Sequence, residues 1–176
     1  MDLRFEQVIS HPLDKVFATM RDRLPELVPH LVGVKSIQVL EREPLGPGRL
    51  RMLNLWQASP EAAPKAVRPF ISEKMLSWKD HAEWNDADRT VRWRFETFSF
   101  EKLFECQGRN RFEDVGDGTR LRIEGELRIF LERLPGVPKF LASRIAPKVE
   151  QFIGKTVAEN LRGLAGGLQA FLDGGA

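Results

Sequence analysis

The sequence predicts an α+β fold in a single domain spanning residues 1–176: a seven-stranded antiparallel sheet wrapped around one long C-terminal helix, with two short helices after the first strand. Three observations carry this. From Val34 onward, polar and apolar residues alternate over roughly a hundred positions, the period of strands with one wet face. Turn-forming strings rich in Gly, Pro and Asp divide that stretch into hairpins. The last forty residues then return to a helical period.

Leu3 to Ile9 reads as the first strand. Ser10 is placed to cap a helix, with Pro12 in its first turn, Asp14 near the positive end of its dipole, and Val16, Phe17 and Met20 on its apolar side. Pro25 opens a second short helical turn, which Pro29 and Gly33 close. Strands over 34–43 and 49–57 flank Pro-Leu-Gly-Pro-Gly; 78–85 and 90–98 flank Asp86-Ala-Asp-Arg; 103–113 and 119–131 flank Asp114-Val-Gly-Asp-Gly. A short helical piece over 138–145 follows. Pro147 then starts the long helix, whose residues Val149, Phe152, Ile153, Val157, Leu161, Leu164, Leu168 and Phe171 recur at three- and four-residue steps as one stripe. Only this helix is large enough to cover the dry face of such a sheet.

Composition narrows the function. Lys and Arg number 27 against 25 Asp and Glu, and the signs are interspersed, so no concentrated basic stripe marks a nucleic-acid binder. Cys106 is the only cysteine, which excludes an internal disulfide and points to a reducing compartment. The first residues carry no cationic-then-apolar signal pattern, and no run reaches the roughly 20 apolar residues that span a bilayer. A cytoplasmic protein is expected.

The string Met75-Leu-Ser-Trp-Lys-Asp-His-Ala-Glu-Trp-Asn85 sets Asp80 beside His81 between two tryptophans, which suggests an acid/base pair. Strand parity argues against it, because adjacent residues point to opposite faces. Asp80 shares a face with Trp78, Ala82 and Trp84, whereas His81 alternates with Lys79, Glu83 and Asn85 on the wet face. The same rule gives an inner face of Asn54 and Trp56, Trp93 and Phe95, Cys106, Asn110 and Phe112, and Ile123, with Asn54, Asp80 and Asn110 its isolated polar groups.

An aromatic inner face is ordinarily a packed core, and a buried cysteine ordinarily a small hydrophobe. Gly108 and Gly125 in the wall, and Gly154, Gly163, Gly166 and Gly167 in the covering helix, suggest instead that room is left between sheet and helix. An empty space of roughly 300 Å³ would cost on the order of 7 kcal/mol at ~24 cal/mol per Å³, so a cavity there should hold something. The irregular stretch over 58–74 is long enough to be a lid.

The element order, together with Ser77-Trp-Lys-Asp-His…Trp84, Gly118-Thr-Arg and Gly125-Glu-Leu, resembles the helix-grip fold of the START-like (SRPBCC) superfamily, in a bacterial-type branch, over the whole chain. That superfamily includes polyketide cyclases, plant pathogenesis-related proteins and lipid-transfer domains. The resemblance implies a carrier or sensor that binds a hydrophobic small molecule, lipid or polyketide-like, between sheet and C-terminal helix. The expected ligand-binding residues are Asn54, Trp56, Trp78, Asp80, Trp84, Trp93, Phe95, Cys106, Asn110, Phe112, Ile123 and Phe152. The alternative it implies is an aromatase/cyclase-type enzyme, with Asp80 as the one candidate catalytic residue, its carboxyl raised by desolvation. Asp80 paired with an arginine or capping a backbone group, in a purely structural role, is the competing reading, and a partner-regulated adaptor is a third class. No metal, cofactor or nucleophile motif stands in the chain, and His11, His30 and His81 lack a second ligand at metal spacing. Lys148, Lys155 and Arg162 would be the cations of any transient contact with a membrane surface.

Overall fold

The computed structural model describes residues 1–62, 73–98, 104–130 and 159–175. In chain order these form β1 (Asp2–Ile9), α1 (Leu13–Asp22), a 3₁₀ helix (Leu24–His30), β2 (Val34–Gly46), β3 (Arg49–Ala58), β4 (Ser77–Asn85), β5 (Thr90–Thr97), β6 (Phe104–Asp114) and β7 (Thr119–Ile129). A final helix, α2, runs over 159–173. The predicted helical piece over 138–145, the helix start at Pro147, and Phe152 and Gly154 lie outside the described residues. So does most of the proposed lid, of which short 3₁₀ turns at Pro60–Ala62 and Glu73–Leu76 are described.

All seven strands join one antiparallel sheet in the order β1-β7-β6-β5-β4-β3-β2. The chain meanders from β2 to β7, and β1 closes on β7 with Leu3 opposite Gly125 and Ile9 opposite Thr119. Strand β2 runs three residues past the predicted Glu43, to Gly46, and the turn is made by Gly46 and Gly48, both at positive φ. Register between β2 and β3 shifts at Val34/Ser36, Val39/Glu41 and Pro44/Gly46. Strand β4 pairs without interruption on both sides, from Gln57–Ser77 to Arg49–Asn85 and from Trp78–Thr97 to Asn85–Thr90.

One expectation is corrected at α1. The residue at its N-cap position is Pro12, with no side-chain cap, and the Ser10 backbone N–H donates instead to Gln169 Oε1 at 2.8 Å. The bond ties the β1–α1 corner to α2, and His11 and Asp173 reinforce it at 2.8 Å. Helix α2 lays Ala165, Leu168, Phe171 and Leu172 onto the core. Its Gly167 sits so close to the 3₁₀ helix that a Cβ would stand 2.6 Å from Leu31 Cδ2 and 2.8 Å from the His30 carbonyl. At this end the glycine permits contact and leaves no room. Among the described residues no helix is long and apolar enough to cross a membrane.

Candidate functional site

The inner face divides into two ends. At one end, α1 lowers Phe17, 1% exposed, edge-on against Trp84 and Phe112, each at 5.3 Å, and Trp84 stacks on Phe112 at 6.3 Å. Leu121, Ile123 and Val91 fill in around them. The predicted site residues Trp84, Phe112 and Ile123 thus stand in a filled core.

In the middle of the sheet, Trp93, Gly108 and Gly125 follow one another across β5, β6 and β7. A Cβ on Gly108 would collide with Trp93 Cζ2 and the Glu124 carbonyl, and one on Gly125 would come within 3.0 Å of Trp93 Cη2. The two glycines therefore make a bed for the Trp93 indole. The expectation that they leave space for a ligand is corrected here: a tryptophan two strands wide occupies it. The Trp93 Nε1–H donates to Asn110 Oδ1 at 2.8 Å in a buried bond, so Asn110 serves Trp93. Cys106 is 1% exposed, and burial pushes its thiol up to about 12, which leaves it inert as a nucleophile at neutral pH.

The other end is different. Asn54 on β3 and Asp80 on β4 are direct cross-strand partners, as are Trp56 and Trp78 in the next row, and Thr97 on β5 stands beside Trp78. Asn54 is 1% exposed and Asp80 7%. Asn54 Nδ2 donates to Asp80 Oδ2 at 3.2 Å, the only side-chain hydrogen bond described within the group. Five buried polar atoms here have no hydrogen-bond partner among the described residues: Asn54 Oδ1, Asp80 Oδ1, Trp56 Nε1, Trp78 Nε1 and Thr97 Oγ1. Elsewhere only Trp84 Nε1 and Arg120 Nε share that status, and Arg120 Nε lies 3.2 Å from Glu6 Oε1. A buried polar group without a partner costs about 1–3 kcal/mol, so a cluster of them is a place where water or a ligand would supply the missing bonds.

Aromatic rings frame this node. Trp56 and Trp78 stack at 5.7 Å with 18° between planes, Phe95 leans on Trp78 at 6.2 Å, and Trp93 stacks on Phe95 at 4.8 Å. Trp56, Trp78 and Phe95 are half-buried. Burial pushes the Asp80 carboxyl up to about 6. The Asn54 amide opposes that shift, as do His81 and the Trp56 indole N–H, which acts from nearby without reaching ordinary hydrogen-bonding geometry. No cation among the described residues forms an ion pair with Asp80, so the arginine-paired reading finds no partner there.

Parity holds at the opening pair. His81 faces the opposite side and binds Glu96 at 2.7 Å, and Lys79 joins the same carboxylate at 3.5 Å. The His81 bond is the leading cause holding Glu96 below the usual carboxylate range. Asp80 and His81 are thus chain neighbours with no shared site. Thr97 escaped the sequence reading, although extending the β5 series Val91, Trp93, Phe95 by one step reaches it. No group of three or more His, Cys, Asp or Glu suited to a metal ion occurs among the described residues. Two hollows, of about 750 and 460 Å³, open on the charged outer face, the first over Arg51, His81 and Arg94, the second over Arg49, Arg92 and Arg111.

The architecture is a helix-grip-like α+β fold: an antiparallel seven-stranded sheet, short helices after β1, and a C-terminal helix packed on its core. Solved structures agree. TTHA0849 from Thermus thermophilus is 23% identical, with a TM-score of 0.65 over 97% of this chain and 98% of that one. The Zhui aromatase/cyclase from a Streptomyces species is 12% identical, with a TM-score of 0.62 over 96% and 93%. Norcoclaurine synthase from Thalictrum flavum is 9% identical, with a TM-score of 0.59 over 98% and 86%. At these identities the likeness is one of fold. No family model and no curated protein sequence matches the chain.

Proposed function

We propose that this protein binds a hydrophobic small molecule, lipid or polyketide-like, between the β3–β5 end of the sheet and the C-terminal helix, as a carrier or sensor. One observation carries the reading: five unsatisfied buried polar atoms gathered in two adjacent rows of an aromatic wall. Donors and acceptors that the fold leaves open are what a ligand with a few polar atoms on an apolar body would complete. A fold shared with an aromatase/cyclase and with norcoclaurine synthase supports the same class of ligand. The test is native mass spectrometry of the full chain purified without denaturation, followed by solvent extraction, with tryptophan fluorescence read during titration with naphthalene. The expected result is a co-purifying organic adduct or saturable quenching. A bare protein mass together with unresponsive fluorescence would overturn the reading.

A second reading, cyclase-type proton transfer, is favoured by Asp80 alone. A carboxyl near pKa 6 with one open oxygen in a buried site can take a proton from a ligand at neutral pH and return it. Its signature is turnover that falls as pH drops through about 6 and disappears in Asp80→Asn while binding persists.

A further inference from the structure

Resting on the ligand-binding reading, we propose that the ligand is an amine whose protonated nitrogen sits on Asp80 Oδ1 and Asn54 Oδ1, against the Trp56, Trp78 and Phe95 rings. The count of open valences leads there. Asp80 and Asn54 face each other across β3 and β4, and each keeps one oxygen without a donor in ordinary hydrogen-bonding geometry among the described residues. A hydroxyl has one proton to give and would leave one of these acceptors open, whereas an ammonium has three donors and no acceptor. Charge points the same way. Asp80 is buried, and its carboxyl, near pKa 6, is ionised at pH 7.5. The charged groups nearest in sequence and across the strands, Lys79, His81, Arg94 and Glu96, belong to the opposite face. A desolvated carboxylate with no cation beside it among the described residues is suited to take one from outside. Aromatic faces around it favour the same charge, since a ring presents its negative quadrupole to a cation.

The remaining open groups describe the rest of the ligand. Trp56 Nε1–H already acts on the Asp80 carboxyl, whereas Trp78 Nε1–H is a donor without a partner among the described residues, and the Thr97 hydroxyl can join it. These two call for an oxygen acceptor on the ligand, a carbonyl or hydroxyl close to the amine. The Trp56 and Trp78 centroids, 5.7 Å apart, leave no slot for a ring between them, so an apolar body lies along the wall.

Three isosteres decide the matter by isothermal titration of the full chain at pH 7.5: 2-naphthylmethylamine, 2-naphthalenemethanol and 2-naphthoate. The amine should bind about tenfold or more tighter than the alcohol, and the carboxylate weakest. In Asp80→Asn the amine should lose about tenfold while the alcohol changes by less than about threefold. Asn54→Leu, which removes the second acceptor, should weaken the amine in the same selective way, and the wild-type series decides even if a variant fails to fold. Alcohol binding as tight as amine binding would overturn the amine assignment and leave the ligand-binding reading standing. Absence of binding by all three, with no tryptophan response to naphthalene, would overturn both.

Discussion

The two ends of the inner face are built from the same kinds of residue and reach opposite states. At the α1 end, two aromatic residues on the sheet meet Phe17 and are buried under it. At the β3–β5 end, two tryptophans and a phenylalanine surround an amide and a carboxyl, and five polar atoms stay open. Aromatic content alone therefore does not define a site. What separates the two is how many polar atoms among the rings lack partners among the described residues: Trp84 Nε1 alone at the closed end, five at the other.

The largest expected effect breaks the closed end. Phe17→Ala should cost about 3–5 kcal/mol in denaturant unfolding, because it empties the junction of Trp84 and Phe112. A loss below about 1 kcal/mol would mean the closed end is as loose as the open one.

Asp80→Asn should act in the other direction. The folded carboxyl titrates near 6 against an ordinary value of 3.8, so the folded state holds its proton more tightly than the unfolded chain. The stabilising contribution is complete below about pH 4 and is lost as pH rises through 6, a loss of about 3 kcal/mol. Carboxylates held below their usual range, Glu96 among them, pull the total curve the other way, so the quantity to read is wild type minus variant, which should fall across that window. The variant should match or exceed wild type at pH 7.5. A difference that rises from pH 4 to 6 would show that Asp80 has a buried cation.

Gly108→Ala sharpens the boundary between the ends. Its Cβ has nowhere to go beside Trp93 and the Glu124 carbonyl, so a loss of about 1–3 kcal/mol is expected in thermal or denaturant unfolding. A neutral outcome would restore the view that the glycines open space. Smallest is His81→Gln. The His81–Glu96 pair is about one-third exposed on each side, so stability should change by under about 1 kcal/mol and naphthalene binding should be unaltered.

Much of this was legible in the sequence, and for identifiable reasons. Parity separated Asp80 from His81 because β4 pairs without a bulge from Ser77 to Asn85, so counting by twos never fails. It worked less well on β3, where Leu53 and Leu55 are apolar on the outer side too, opposite His81 and Lys79. The division of the wall was not legible. Trp84 and Trp78 look alike along β4, and only the descent of α1 onto one end buries Trp84 under Phe17. Gly108 and Gly125 were misread because the residue that fills them, Trp93, comes from a different strand, and register across three strands decides the contact. The fold was easier: a hundred alternating residues followed by one apolar helical stripe leave few arrangements that bury both faces.

The claim that one end is closed and the other open to a ligand is tested most directly by the four indole N–H resonances in a ¹⁵N-tryptophan NMR spectrum, assigned by single Trp→Phe variants. On saturation with 2-naphthalenemethanol, Trp56 and Trp78 should shift or exchange, because they border the open node, while Trp93, bonded to Asn110, and Trp84, shut in by Phe17 although its own N–H lacks a partner, stay in place. Movement of Trp84 and Trp93 with Trp56 and Trp78 unmoved would contradict the account.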